Sequence, residues 1–188
     1  MPPARKILIA DPDPSPVRAL APALRQRGYQ VHAAKDGAKA LQVAILRFPD
    51  VVLFDERCQM LDARTFVRII RTNPRTERIP VVLTGDMNER DSFFCRISTL
   101  APLRAADGAY RDAGGCHTVS PTPIDWIVGT APVGFSGYLR DTSTTSRRIS
   151  DHFLIKATAT LPAERSLTRC IPAPHDASAV YCPPPRHG

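Results

Sequence analysis

Residues 48–66 read FPDVVLFDERCQMLDARTF. From Val51 to Phe54 the run is short, apolar and without polar alternation, the pattern of a strand covered on both faces. It ends on two acids, Asp55 and Glu56. Asp62 then stands as an N-cap before Phe66, Ile69 and Ile70 at helical spacing. A buried strand that ends in carboxylates and leads into an amphipathic helix is one unit of a parallel α/β sheet.

The same unit recurs on either side. Lys6–Ala10 (KILIA) is a second buried strand, and Ser15-Pro16 supplies an N-cap and a first-turn proline. Val17, Leu20, Ala21 and Leu24 follow at helical spacing until Gly28 ends the helix. Tyr29–Ala34 reads as a strand, and Asp36 caps a helix with Ala38, Leu41 and Ile45 on one face. Ile79–Thr84 (IPVVLT) is the fourth strand. Alternation with short connections predicts an α/β fold with a doubly wound parallel sheet. Such sheets collect their chemistry at the carboxyl ends of the strands. Asp11, Asp13, Asp55, Glu56, Thr84 and Asp86 stand there.

Past Thr84 the pattern changes. Residues 89–101 fit a helix with Phe93, Ile97, Leu100 and Ala101 inward, and residues 102–123 read as loop. Ile124–Gly129 (IDWIVG) and residues 133–139 read as strands, separated by a polar loop from His152–Leu161. That last segment alternates Phe153, Ile155, Ala157 and Ala159 against polar residues, which suits a strand with one wet face. The proline-rich segment 162–188 has no periodicity and is expected to be a disordered tail.

Composition bounds the function. The chain has 188 residues, 43% apolar and 23% charged, which excludes wholesale disorder and suits one domain or two small ones sharing a sheet. No apolar run approaches the ~20 residues of a membrane span, and the N-terminus lacks the long apolar core of a secretory signal, so the expected address is cytoplasmic with no membrane partner. Most of the net charge of +7 lies in the first 83 residues, chiefly as scattered arginines. It weakly favours anionic partners and leaves nucleic-acid binding open, because the dense basic stripe with interleaved aromatics is missing. Five cysteines without a CxxC pair predict neither a zinc site nor a disulfide framework.

Residues 5–83 resemble the receiver domain of bacterial response regulators. KILIADPDP, RGYQVHAAKDGAKAL, FPDVVLFDERCQMLDARTF and IPVVLT carry the resemblance in the family's order. It implies a flavodoxin-like sheet over residues 1–83 and a histidine kinase or another signalling partner. It also implies Asp55 as phosphoacceptor, Asp11 and Asp13 as holders of Mg²⁺, and Thr84 as the hydroxyl that bonds the phosphoryl group. The chain departs from the family in lacking the fifth strand with its Lys-Pro, which removes the main cationic partner of the phosphoryl charge. Little or no phosphorylation by small phosphodonors is therefore expected.

Residues 79–161 resemble the C-terminal half of the endonuclease/exonuclease/phosphatase superfamily, similar to DNase I. PVVLTGDMN at 80–88, PIDWI at 123–127 and SDH at 150–152 carry this second resemblance. It implies DNase I-like strands continuing the sheet and weak or incomplete Mg²⁺- or Mn²⁺-dependent hydrolysis of a phosphoester. Asp86 and Asn88 would position nucleophile and phosphate, Asp151 would hold metal, and His152 would act in proton transfer, oriented by Asp125. PDVVLFDE at 49–56 has an alternative reading as this family's metal-ligand strand, which would put Glu56 on the metal. The two resemblances overlap at the fourth strand. They leave open a metal-dependent phosphoesterase module fused to a degenerate receiver, a phosphoacceptor or partner-binding module without hydrolysis, and a chain joined by truncation or artifice.

Overall fold

A computed structural model describes residues 4–121, 123–131, 133–143, 147 and 150–161, and the backbone of 171–173 and 176–181. The elements are β1 (Lys6–Ala10), α1 (Pro14–Gln26), β2 (Gln30–Ala34), α2 (Gly37–Arg47), β3 (Val51–Asp55), α3 (Ala63–Thr72), β4 (Val81–Asp86), α4 (Asp91–Ile97), β5 (Leu103–Ala105), β6 (Tyr110–Asp112), β7 (Gly115–His117), β8 (Asp125–Thr130), β9 (Gly134–Asp141), β10 (Leu154–Thr160), β11 (Ile171–Ala173) and β12 (Asp176–Tyr181).

The main sheet runs β2-β1-β3-β4-β8-β5-β6-β7. Its first four strands are parallel, as the strand–helix alternation requires. The other four join antiparallel, beginning with β8 against β4. The direction of β8 matters most for the site. An antiparallel strand starts where its neighbour ends, so Asp125 at the head of β8 pairs in register with Asp86 at the tail of β4.

Successive strand residues feed opposite faces. Leu8, Val52, Phe54, Val81, Leu83, Trp126 and Val128 meet Ala40 and Ala44 of α2, Phe66, Val67 and Ile70 of α3, and Phe93, Phe94 and Ile97 of α4. Ile7, Ile9, Val51 and Val82 face the other way, toward Val17 and Leu24 of α1, and farther along toward Val133, Phe135 and Leu161 around the separate β9–β10 ribbon. Asp36 and Asp62 cap α2 and α3 as expected. The α1 cap is Asp13, whose side chain accepts from the Ser15 amide, in place of the expected Ser15. Arg71 of α3 ties the parallel and antiparallel parts together. Its buried guanidinium donates to the Ile79 carbonyl and to Thr130 Oγ1 on β8, which itself accepts from the Val81 amide.

Three expectations are corrected. Residues 102–123 hold the short strands β5, β6 and β7, which are too brief to leave a periodic signal. Within the segment expected to be a disordered tail, β11 and β12 pair antiparallel; its other residues lie outside those described. Cys95 and Cys116 form a disulfide between α4 and β7. Their spacing gives no hint of it, since the β6–β7 hairpin is what folds Cys116 back. No helix among the described residues is long and apolar enough to cross a membrane.

Candidate functional site

Two groups of polar side chains lie next to each other along the carboxyl edge of the parallel strands. The first is built on β1 and β3, which pair in parallel register and end together at Asp11 and Asp55. Asp11 is 8% exposed and Asp55 17%. Arg57, two residues past Asp55, turns back over the pair. Its backbone amide and Nε donate to Asp55 Oδ1 at 2.8 and 2.9 Å, and Nη2 donates to Asp55 Oδ2 at 3.0 Å and reaches Asp11 Oδ1 at 3.4 Å. Burial pushes the Asp11 carboxyl up, against the Asp13 amide that bonds it, and the charge of Asp55 adds to the rise. Thr84 on β4 is the cross-strand partner of Asp55. Asp13 adjoins the pair: its amide donates to Asp11 Oδ1 at 2.8 Å, while its side chain caps α1. Cys58 is buried beneath the site, and burial followed by the nearby carboxylates pushes its thiol up to about 12.

The second group is built on β4, β8 and the turn before β10. Trp126 fixes the start of β8. Its ring lies 5.8 Å from those of Phe93 and Phe94, and its Nε1 donates to the Glu89 carbonyl. That leaves Asp125 at the sheet edge opposite Asp86. The His152 ring fits between them, with Nδ1 3.0 and 3.2 Å from the two Asp125 oxygens and Nε2 3.6 Å from Asp86 Oδ2. The Asp125 hydrogen bond raises the imidazole above its ordinary value, helped by the charges of Asp125, Asp86 and Asp151. Like-charged carboxylates directly opposite in a ladder repel, and an imidazole hydrogen-bonded to Asp125 and turned toward Asp86 lies between them. Asp86, Asp125 and His152 each bring a ligand atom within 4.8 Å of the others, close enough that they could hold a divalent ion. A cleft beside them is lined by Arg90, Arg140, Asp151 and Phe153, with the Arg140 guanidinium 4.0 Å above the Phe153 ring.

Of the residues marked in the sequence, the fold thus brings Asp55 to Asp11 and Thr84, and Asp86 to Asp125 and His152. Asp151 lies beside His152 in the cleft but outside the three-residue cluster. Asn88 is exposed, and its backbone amide donates to Asp86 Oδ1, closing the turn after β4. Glu56 stands between the two groups and joins neither. Its amide donates to the Thr84 carbonyl, its stem lies on Gly85, and burial, then the charges of Asp55 and Asp86, push its carboxyl up. Arg57 was not marked in the sequence. The available signal was a cation two residues past a strand-end acid, inside a turn short enough to bring it back.

Comparison with known proteins bears on the first group. Residues of this chain are 35% identical over 85 positions to the response regulator PleD of Caulobacter vibrioides, which covers 45% of this chain and 19% of PleD. They are 34% identical over 84 positions to protein Rrf1 of Nitratidesulfovibrio vulgaris, covering 45% of this chain and 60% of Rrf1. About 45% of the chain is therefore similar to response-regulator receiver domains, and the chain spans from a fifth to three fifths of these relatives. Among solved structures, the receiver domain of a sensor histidine kinase from Pseudomonas aeruginosa, with a magnesium ion in its active-site cleft, is 28% identical with a TM-score of 0.42 over 44% of this chain and 68% of that one. The chemotaxis regulator CheY4 of Vibrio cholerae is 26% identical with a TM-score of 0.41 over 43% and 67%. No family model matches the chain. The likeness is to the N-terminal, parallel half.

Proposed function

We propose that the chain is a response-regulator-type signalling module whose phosphoacceptor is Asp55 and whose partner is a histidine kinase or another member of a phosphorelay. The observation that carries this reading is the meeting of Asp11, Asp55 and Thr84 at one strand edge, within the segment similar to response regulators. In the proposed step a carboxylate oxygen of Asp55 attacks the phosphorus of a phosphohistidine or acyl phosphate. The new O–P bond forms as the bond to the donor breaks, and the donor leaves with its electron pair. Mg²⁺ suits the hard oxygen donors of Asp11 and Asp55, and when bound it would neutralise charge on the transferred group. The Thr84 hydroxyl would bond a phosphoryl oxygen from the neighbouring strand. Among the described residues the place beside β4 is taken by antiparallel β8, which carries no lysine. Little or no labelling is accordingly expected with acetyl phosphate and Mg²⁺. Intact-mass spectrometry is the test: a phosphoryl adduct lost in Asp55→Asn supports the reading, and an adduct that survives the substitution overturns it.

The Asp125–His152 hydrogen bond, with Asp86 facing the other ring nitrogen, favours a second reading, metal-dependent hydrolysis of a phosphoester at the neighbouring cleft. A carboxylate behind an imidazole fixes its tautomer and raises its basicity. Arg90 and Arg140 suit an anionic substrate. With Asp151 and Glu56 outside the cluster, at most feeble Mg²⁺- or Mn²⁺-dependent turnover is expected. Bis-p-nitrophenyl phosphate and plasmid DNA, offered to the parent and to His152→Ala, test it; equal background in both would leave the signalling reading alone.

A further inference from the structure

We infer that Arg57 is a built-in cation that holds the Asp11–Asp55 pair and competes with a divalent metal for it, so that metal enters only as the guanidinium swings out. The inference rests on the phosphoacceptor reading and deepens it by naming what regulates entry to that site.

The geometry carries the argument. Three of the close contacts on Asp55 come from Arg57: its amide and Nε on Oδ1, and Nη2 on Oδ2. The same Nη2 lies 3.4 Å from Asp11 Oδ1, so a single nitrogen straddles both carboxylates. An ion bound by one oxygen of each acid must sit in that gap. Mg²⁺ binds carboxylate oxygens at roughly 2.0–2.1 Å and demands near-octahedral space around itself, which leaves no room for a hydrogen-bonded guanidinium on the same oxygens. The planar fork of arginine suits this bridging in a way that the single ammonium of lysine does not.

The burial of the partners explains why a cation is needed at all. Two largely buried carboxylates at the ends of adjacent strands repel each other unless a positive charge lies between them. Arg57 supplies it from within, while its own side chain stays 55% exposed. One face of the guanidinium therefore remains open to solvent, and no packed core has to rearrange for it to leave. The Asp13 side chain caps α1, while its amide donates to Asp11 Oδ1 and its charge adds to the repulsion on Asp11 that Arg57 offsets. The arrangement is a local competition between two cations for the same oxygens, and it predicts that removing one favours the other.

Mn²⁺ titration followed by the electron paramagnetic resonance signal of the free ion tests this on three full-length proteins: the parent, Arg57→Ala, and Arg57→Ala with Asp55→Asn. Arg57 is exposed, so its loss leaves the core intact. Affinity for Mn²⁺ is expected to rise about fivefold in Arg57→Ala, the scale of a partly exposed ion pair removed from competition, and to fall back in the double variant. No rise, or a rise that persists without Asp55 because it comes from the Asp86–His152–Asp125 group, would overturn the inference. Acetyl phosphate labelling of the same proteins judges the underlying reading separately. If Arg57→Ala gains Mn²⁺ affinity at Asp55 while a phosphoryl adduct survives Asp55→Asn, the competition stands and the phosphoacceptor role falls.

Discussion

Asp86 and Asp125 face each other directly across the β4–β8 ladder, and His152 is bonded to Asp125 while its other nitrogen turns toward Asp86. The pair exists because β8 runs against β4; a parallel neighbour would have put its first residue at the far end of the sheet. The imidazole is raised chiefly by Asp125. Its attraction for the two acids is therefore fully present below the ordinary histidine value and is lost as pH rises through the raised one. Asp125→Asn should move the His152 titration, followed by NMR of the ring protons, down toward that ordinary value, with a residue of the shift left by Asp86. An unchanged midpoint would mean that the Asp125 contact is not formed in solution.

Gly85 separates Thr84 of one group from Asp86 of the other, and it has φ +145. A Cβ there would lie 2.4 Å from Cγ of Glu56. Gly85→Ala therefore incurs both backbone strain and a clash, a loss of about 1–3 kcal/mol in urea unfolding. Glu56→Ala in the same chain removes the clashing atom and should recover part of the loss, because the unfavourable φ remains. Full stability in Gly85→Ala alone would show that this edge of the sheet is looser than the close contact implies.

Much of the parallel half was legible because its rules are local. Val51–Phe54 is apolar on both faces, Asp36 and Asp62 cap the helices, and β1, β3 and β4 end at the acids that the alternation pattern marks. The Asp125–His152 hydrogen bond was also legible, through the PIDWI and SDH motifs. What was hidden depends on the third dimension. Arg57 gains its role from a turn that reverses the chain within two residues, and the direction of β8 is set by tertiary pairing. Asp13 caps α1 beside Asp11, because a helix cap and a strand-end acid share a residue type and a location. The strands β5, β6 and β7 span three residues each, below the length at which periodicity can speak.

Arg71 binds the two halves of the sheet through neutral acceptors, the Ile79 carbonyl and Thr130 Oγ1, and burial pushes its guanidinium down to about 10. Nε has no hydrogen-bond partner. Arg71→Ala leaves a cavity and removes these bonds, and is expected to lose roughly 2–3 kcal/mol in denaturant unfolding. Arg71→Met keeps most of the volume and discards a costly buried charge, so it should lose less. If the methionine variant is as unstable as the alanine one, the hydrogen bonds outweigh the packing.

Cys95 and Cys116 close a 21-residue separation, joining α4 to the β6–β7 hairpin at the far edge of the sheet. Arg111 reinforces the same junction, donating to Ser98 Oγ and to the Cys95 carbonyl. Cross-linking a loop of this length restricts the unfolded chain and is worth about 3 kcal/mol on the loop-entropy scale. Such bonds persist mainly in oxidising compartments, which runs against the cytoplasmic address expected from the sequence. Peptide mapping without reductant should recover Cys95 and Cys116 in one linked peptide. Cys58 should resist alkylation until the chain unfolds, because burial suppresses its thiolate. Reduction should lower the denaturation midpoint by the equivalent of the loop term, and Cys95→Ser with Cys116→Ser should match the reduced parent and lose its sensitivity to reductant. Equal midpoints for oxidised and reduced parent would show that the hairpin holds to α4 through Arg111 and its packing alone, without help from the sulfur bridge.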